Sequence, residues 1–280
     1  MGPAGWAYDD WKGIVYPAPP PRDWHPLRLL SGLFDTVEIN STFYHPPNPR
    51  HCSAWLDQIE DNPRFLFTVK LWRRFTHERE SWPGDREIQQ VTEGFTPLHE
   101  AGKLGAVLIQ FPWSFKRTPE NRLWLARVIE AFSGFPLALE IRHASWNRPE
   151  VYAGLAERNI AFCNIDQPIF AQSLKPGAAV TAPLAYVRLH GRNHEDWFRE
   201  DAHRNDRYNY LYNAEELQPW IEKIQAIMKQ VRAIFVVTNN HYRGQAVVNA
   251  LELQAALGSP PKNLPGQLVE HYPRLRQLGE

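Results

Sequence analysis

Cysteine is nearly absent from this chain of 280 residues, and that scarcity narrows the chemistry open to it. The two cysteines, Cys52 and Cys163, are far apart and belong to no Cys-x-x-Cys pair. A disulfide framework needs several cysteines, and a cysteine zinc site needs them closely spaced. The sequence therefore predicts neither kind of site.

Short cofactor motifs are missing as well. The chain has no P-loop and no G-x-G-x-x-G turn, so nucleotide binding by these devices is not predicted. It also has no His-Glu-x-x-His motif and no cluster of histidines and cysteines. No cofactor is predicted on these grounds, and a loosely held divalent metal is the one exception left open.

Net charge and long apolar runs are the remaining absences. The 31 basic and 31 acidic residues cancel, which argues against bulk attraction to nucleic acid or anionic lipid but not against a local basic groove. No apolar stretch approaches the roughly 20 residues of a bilayer span, and the amino terminus lacks signal-peptide features. We therefore expect a cytoplasmic protein with no membrane partner. The sequence leaves the oligomeric state open.

What the chain does contain is a series of short apolar segments that end in polar residues. They cover residues 37–40, 65–70, 106–110, 137–142, 162–166, 186–190 and 234–239, and Gly5-Trp6 serves as the stub of a first, truncated strand. Helical patterns lie between them at 49–61, 86–102, 119–132, 214–230 and 245–257. Eight strands alternating with helices favour an α/β fold, a (β/α)8 TIM-type barrel. An open doubly wound sheet is the alternative, but it would need more uniformly apolar strands.

No linker or low-complexity stretch divides this pattern. We therefore expect one barrel domain over residues 1–258. Residues 259–280 contain four prolines and predict a Pro-rich C-terminal tail that lies over the surface or is partly disordered.

An ordered set of motifs resembles a known family. The motifs are Gly5-Trp6-x-Tyr8-x-x-Trp11-x-Gly13, Tyr16-Pro17, Val37-Glu38-Ile39-Asn40-Ser41-Thr42-Phe43-Tyr44, Thr76-His77, Gln110-Phe111-Pro112, Glu140-Ile141-Arg142-His143-x-x-Trp146, Val187-Arg188-Leu189-His190-Gly191 and Asn239-Asn240. Together they look like the YecE-like family, the domain of unknown function 72, from Gly5 to about Leu257. The resemblance implies a TIM-type barrel and brings no agreed biochemical activity with it.

Polar side chains at the strand ends predict a site at the mouth of the barrel, where such folds carry their chemistry. The acid–base candidates are Glu38, Glu140, Asp166 and His190. Arginine and lysine can clamp an anion, and guanidinium groups match the geometry of carboxylate and phosphate. The substrate-binding candidates are Lys70, Arg142 and Arg188 as clamps, Asn40, Gln110 and Asn239 as orienting amides, and Trp6 and Tyr8 as pocket wall.

These residues predict a hydrolase or lyase that acts on a small or polymeric anionic substrate, most simply one that bears phosphate. A structural alternative is that the charges satisfy each other, with Glu38 pairing with Lys70 and Glu140 with Arg142 or Arg188. A non-catalytic ligand sensor would use the same pocket.

A nucleic-acid-binding barrel is a further alternative, since residues 71–85 and 191–213 interleave basic and aromatic side chains. The basic and aromatic residues of the second loop are Arg192, His194, Trp197, Arg199, His203, Arg204, Arg207, Tyr208, Tyr210 and Tyr212.

Overall fold

Eight parallel strands form the centre of the fold. The computed structural model describes residues 1–197, 199, 201 and 204–278. Its strands are β1 (Gly2–Pro3), β2 (Thr36–Ile39), β3 (Leu66–Lys70), β4 (Leu104–Gln110), β5 (Leu137–Glu140), β6 (Ala161–Asp166), β7 (Leu184–Leu189) and β8 (Ala233–Thr238). They pair in the order 1-8-7-6-5-4-3-2, and a bridge between Ala4 and Glu38 links β1 to β2. The sheet is thus a nearly closed barrel, and the predicted fold class is confirmed.

The first strand lies slightly earlier than the sequence pattern predicts. Gly2 and Pro3 pair with β8, whereas Gly5 has a φ of 80°, a left-handed conformation that turns the chain out of the sheet. The amide of Gly5 still donates to the carbonyl oxygen of Glu38 at 2.8 Å. A strand of two residues is therefore enough to complete the ring of eight.

Helices cover the outside of the sheet. They are α1 (Pro26–Leu33), α2 (Ser41–Tyr44), α3 (Pro49–Asp57), α4 (Asp85–Glu100), α5 (Pro119–Ala131), α6 (Pro149–Ala156), α7 (Arg204–Arg207), α8 (Ala214–Met228), α9 (Gln245–Ala256) and α10 (Gly266–His271). The five helices predicted from periodicity are α3, α4, α5, α8 and α9, each found within a few residues of its expected bounds. Helix α6 has no clear apolar periodicity in the sequence, because Leu155 is its only buried residue. No helix among the described residues is long and apolar enough to cross a membrane.

The barrel interior is packed with large side chains at its lower end. Tyr186 of β7 and Phe235 of β8 are neighbours in register and face inward together. Phe235 crosses to β4, where a Cβ on Gly105 would lie 2.3 Å from the end of its ring. Cys163 of β6 shares this interior, and both it and Cys52 are fully buried and unpaired. The interior is a solid core below the mouth, not a channel.

The described part of residues 259–280 packs against the barrel. It consists of α10 and a 3₁₀ helix at Pro273–Leu278, and Leu268 and Leu275 are completely buried. Gln267 donates to the carbonyl oxygen of Val15 at 3.3 Å, so this segment reaches back to the start of the chain.

Candidate functional site

Arg188 is the centre of a buried cluster of charges just below the mouth. Its Nη2 donates to Oε1 of Glu38 at 2.6 Å, and its Nη1 donates to Oε2 of Glu140 at 2.6 Å. The Arg188 side chain is 1% exposed and both carboxylates are 0% exposed. Charges this deeply buried are tolerated because each one is paired and hydrogen-bonded. Tyr186 adds a further bond, since its hydroxyl donates to Oε2 of Glu38 at 2.9 Å.

Glu140 also holds two groups that lie nearer the mouth. Its Oε1 accepts from Nε of Arg142 at 2.9 Å and lies 3.2 Å from Nε2 of His190. The other ring nitrogen of His190 is 3.1 Å from the side-chain amide of Asn239. Since an amide NH₂ is a donor, this contact assigns the acceptor role to Nδ1 and the N–H to Nε2, which faces Glu140. Nη2 of Arg142 and Nη1 of Arg188 also approach Nε2, at 3.3 and 3.4 Å.

The burial of this cluster fixes its protonation. Burial alone would raise the pKa of Glu140, but Arg188 and then Arg142 outweigh it, and the net pKa lies well below the ordinary value. Burial lowers the pKa of His190 to about 3, and the nearby Glu140 opposes this only in part. At neutral pH Glu140 is therefore ionised and His190 is neutral.

Lys70, at the carboxyl end of β3, is a cation of the site that is not paired in this way. Its Nζ lies 4.0 Å above the ring of Phe43, and among the described residues it forms no ion pair with a carboxylate. The predicted Glu38–Lys70 pair is wrong, because Arg188 takes Glu38. The predicted pairing of Glu140 is confirmed, with Arg142 and Arg188 together.

The surroundings of Lys70 lower its pKa to about 7. Burial is the largest cause, and the charge of Arg188 adds to it. Glu38 and Glu140 act in the opposite direction, and Arg142 again lowers the pKa. The amine of Lys70 therefore changes its charge near neutral pH, unlike an ordinary lysine.

Two adjoining cavities open at the mouth beside Lys70. One, which we call the cationic cavity, has a volume of about 290 Å³ and is lined by Asn40, Tyr44, Lys70, Arg207, Tyr208 and Asn239. The other, the aromatic cavity, has a volume of about 420 Å³ and is lined by Trp6, Tyr8, Tyr44, His51 and Trp55 with Gly5, Ala7, Asn40 and Ser41. Asn40 and Tyr44 belong to both walls. The two cavities are therefore neighbours that share part of one wall.

Two polar atoms of the cationic cavity's lining residues are buried without a hydrogen bond inside the described part of the chain. They are Oδ1 of Asn40 and Nε of Arg207. Buried polar atoms in proteins normally have a partner, so these two atoms are unsatisfied members of the residues that form the cavity wall.

The remaining predicted residues divide into two groups. Gln110 is in register with Glu140, so it faces the barrel interior beside the cluster. Asp166 is in register with Leu189, on the opposite face, and its carboxylate accepts from Nε of Arg192 at 2.9 Å. Burial raises the pKa of Asp166, and Arg192 opposes the shift. The structure thus brings together every predicted site residue except Asp166, which anchors Arg192 outside the barrel.

Several residues of the site were not found from the sequence. Tyr186 could have been, because it shares the strand parity of Arg188 and His190. His51 and Trp55 lie one turn apart on α3, where nothing in the local pattern points to the mouth. Their role depends on how α3 packs against the first loop, where Trp55 meets Trp6 edge to face at 5.4 Å.

Comparison with known proteins agrees with this architecture. The family model described as "Protein of unknown function DUF72" matches residues 1–274. The chain belongs to this family. It is 29% identical over 271 residues to the UPF0759 protein YunF of Bacillus subtilis, covering 90% of this chain and 92% of that protein.

Two solved structures of DUF72 proteins have the same fold. One, from Thermotoga maritima, is 34% identical with a TM-score of 0.79 and covers 91% of this chain and 97% of that one. The other, from Enterococcus faecalis, is 26% identical with a TM-score of 0.79 and covers 94% and 98% of the two chains. In this DUF72 chain, the motifs that carry the resemblance supply Glu38, Asn40, Glu140, Arg188 and His190 to the mouth.

In this DUF72 chain, the described part of the second loop, residues 191–213, lies over the buried cluster. The ring of Trp197 is centred 5.5 Å from the guanidinium of Arg142 and 6.2 Å from the ring of His190. Arg199 forms ion pairs with Asp196, at 2.6 Å, and with two other aspartates of the same loop. His203 and the side chain of Arg204 lie outside the described residues. Where it is described, the loop acts as a cover that neutralises much of its own charge.

The basic residues of the first loop, residues 71–85, also contact groups of their own loop. Arg73 pairs with Glu78 at 2.8 Å, and Arg74 donates to the carbonyl oxygens of Glu78 and Ser81. Across the described ranges, no three or more His, Cys, Asp or Glu side chains are grouped so as to hold a metal ion.

Proposed function

We propose that this protein binds a small, anionic, phosphate-bearing compound in the cationic cavity and acts on it by acid–base chemistry of the hydrolase or lyase type. The observation that carries the proposal is where Lys70 lies and which groups surround it. Its amine lines a polar cavity at the mouth, and within the described residues it has no carboxylate partner. Arg188 and Arg142 beside it are already paired with Glu38 and Glu140.

An anion in this cavity would complete several contacts together. Its oxygens would accept from Nζ of Lys70 and from the guanidinium of Arg207, since both residues line the cavity. Asn40 and Asn239, on either side, would orient it through their amides. The uncharged part of the ligand would extend into the aromatic cavity, against Trp6 and Tyr8.

The buried cluster supports this chemistry from below. Glu140 is ionised and held by Arg188, so we assign it the task of positioning Arg142 and His190, and we assign Glu38 the task of positioning Arg188. His190 is neutral and accepts from the side-chain amide of Asn239, so it fixes the orientation of that amide in the cavity wall. Lys70 changes its charge near neutral pH and is the group best suited to take up or release a proton there. Asp166 would act indirectly, through Arg192 of the covering loop.

Sulfate binding measured by calorimetry tests the anion site. Sulfate keeps its two negative charges over the whole range, so its affinity reports the protein alone. A bound anion favours charged Lys70, so binding is strongest below its pKa of about 7 and weakens as the amine loses its proton. We expect affinity to fall up to about tenfold between about pH 6 and about pH 8, the change in charged fraction of such a group.

The control is a matched pair of lysine substitutions. Lys70→Met should abolish the pH dependence and most of the binding, whereas Lys229→Met removes an exposed lysine and should change neither. Binding that is independent of pH, or that survives Lys70→Met unchanged, would rule out the proposed site. Turnover of a phosphate-bearing compound that competes with sulfate would distinguish an enzyme from a sensor using the same cavity.

A further inference from the structure

We propose that Lys70 forms a covalent imine with an aldehyde or ketone group of the bound compound, which makes the substrate a phosphate-bearing carbonyl compound and the chemistry lyase-type. The inference rests on the proposed anion site and adds a nucleophile to it.

The position of Lys70 suits a nucleophile. It is the last residue of β3, so a rigid strand carries it to the mouth of the barrel. The ring of Phe43 supports its amine from one side at 4.0 Å, and the cationic cavity lies on another side. The two buried carboxylates whose charges act on Lys70, Glu38 and Glu140, are held by Arg188, and neither forms an ion pair with the amine in the described structure.

The charges around Lys70 keep much of its amine in the reactive form. An ordinary lysine has a pKa of about 10.4, which leaves roughly one amine in a thousand uncharged at pH 7.4. Burial and the charges of Arg188 and Arg142, only partly opposed by Glu38 and Glu140, lower the pKa of Lys70 to about 7. Most of its amine is then uncharged at that pH. A desolvated lysine beside other cations is a recognised form of activated amine.

The rest of the cavity fits the same substrate. Arg207 would hold the phosphate, because it lines the cavity and a guanidinium fork matches the geometry of phosphate oxygens. The side-chain amides of Asn40 and Asn239 would hydrogen-bond the carbonyl oxygen, and the hydroxyl of Tyr208 in the same wall would donate to it. The phosphate and the carbonyl are thus assigned to different side chains of one cavity.

The step balances without a further reactant. The lone pair of Nζ attacks the carbonyl carbon and a C–N bond forms, while the carbonyl oxygen takes up a proton to give a carbinolamine. The C–O bond then breaks, and the oxygen leaves as water with the two protons that the amine has given up. The product is a neutral imine and one water molecule. One more proton, taken from solvent, gives the iminium that serves as an electron sink for carbon–carbon bond cleavage.

Reductive trapping tests this inference. The full chain is incubated at about pH 7.4 with dihydroxyacetone phosphate and sodium cyanoborohydride, and adducts are mapped by peptide mass spectrometry. We expect at least about tenfold more adduct on Lys70 than on the exposed Lys229. Dihydroxyacetone, which lacks the phosphate, should label Lys70 less, and sulfate should protect it from the phosphorylated probe.

Lys70→Arg separates the two proposals while keeping the charge. Arginine can hold sulfate but cannot be trapped as an imine, so this variant should bind sulfate and give no adduct at position 70. Equal labelling of all lysines, or no adduct on Lys70 in a protein that binds sulfate, would overturn the imine while leaving the anion site standing. Selective labelling of Lys70 by both probes, with no protection by sulfate, would support the imine and refute the anion site.

Discussion

Replacing Arg188 with leucine is expected to lower the free energy of unfolding by about 3–5 kcal/mol, the usual cost of breaking a buried ion pair from one side. Leucine fills part of the same space but leaves Glu38 and Glu140 facing each other without their shared partner. Both carboxylates are completely buried, so neither can reach water to recover its solvation. Urea unfolding followed by tryptophan fluorescence measures the loss.

Two further substitutions serve as comparisons for the stability of Arg188→Leu. Arg207→Leu removes a half-buried arginine that forms no ion pair with a carboxylate among the described residues, and we expect a change within about 1 kcal/mol. Arg188→Lys keeps the charge but loses the fork that bridges two carboxylates, so it should fall between the two leucine variants. If Arg188→Leu were as stable as Arg207→Leu, the cluster could not be what holds the strand ends together.

Glu140→Gln is expected to have two separate effects. It removes the charge that balances Arg188 and Arg142, and we expect it to cost about 3 kcal/mol of stability. Glu140 also raises the pKa of Lys70, so its loss should lower that pKa further below about 7. The decline of sulfate affinity should then begin at a lower pH than in the unaltered protein.

The lower pKa of Lys70 in Glu140→Gln can be measured even though this variant is less stable. Sulfate affinity is measured at several pH values below the unfolding temperature, with circular dichroism as the check on folding. Tyr186→Phe is the matched control, since it removes a hydrogen bond to Glu38 but no charge, and should leave the pH profile in place. A profile that does not move in Glu140→Gln would show that Glu140 has no electrostatic influence on Lys70.

Most of the barrel face of the site could be predicted because strand parity is a local property of the sequence. Glu38 and Asn40, Arg188 and His190 alternate with apolar residues, and each pair does face inward. Asp166 ends its strand in a polar residue too, but the register with β7 places it outside. Register is set by the packing of neighbouring strands, and a single strand does not reveal it.

The partners of the charges were harder to predict than their location. Sequence alone does not distinguish Lys70 from Arg188 as the partner of Glu38, because both come from strands that reach the same interior. Arg188 is chosen because one guanidinium can bridge Glu38 and Glu140, which a lysine cannot do with the same geometry. Trp55 of the aromatic cavity was not predicted for a different reason. It lies on a helix, and only tertiary packing brings it to the cavity.

The two buried cysteines make the protein its own reporter of opening. Cys163 lies among the strands and Cys52 on α3, and burial raises the pKa of both thiols, Cys52 to about 12. A thiol reagent can modify either one only when the chain around it separates, so the rate of modification measures that separation. The modification rate of Cys52 would report local opening of α3 beside the aromatic cavity. The modification rate of Cys163 would report separation of the barrel strands.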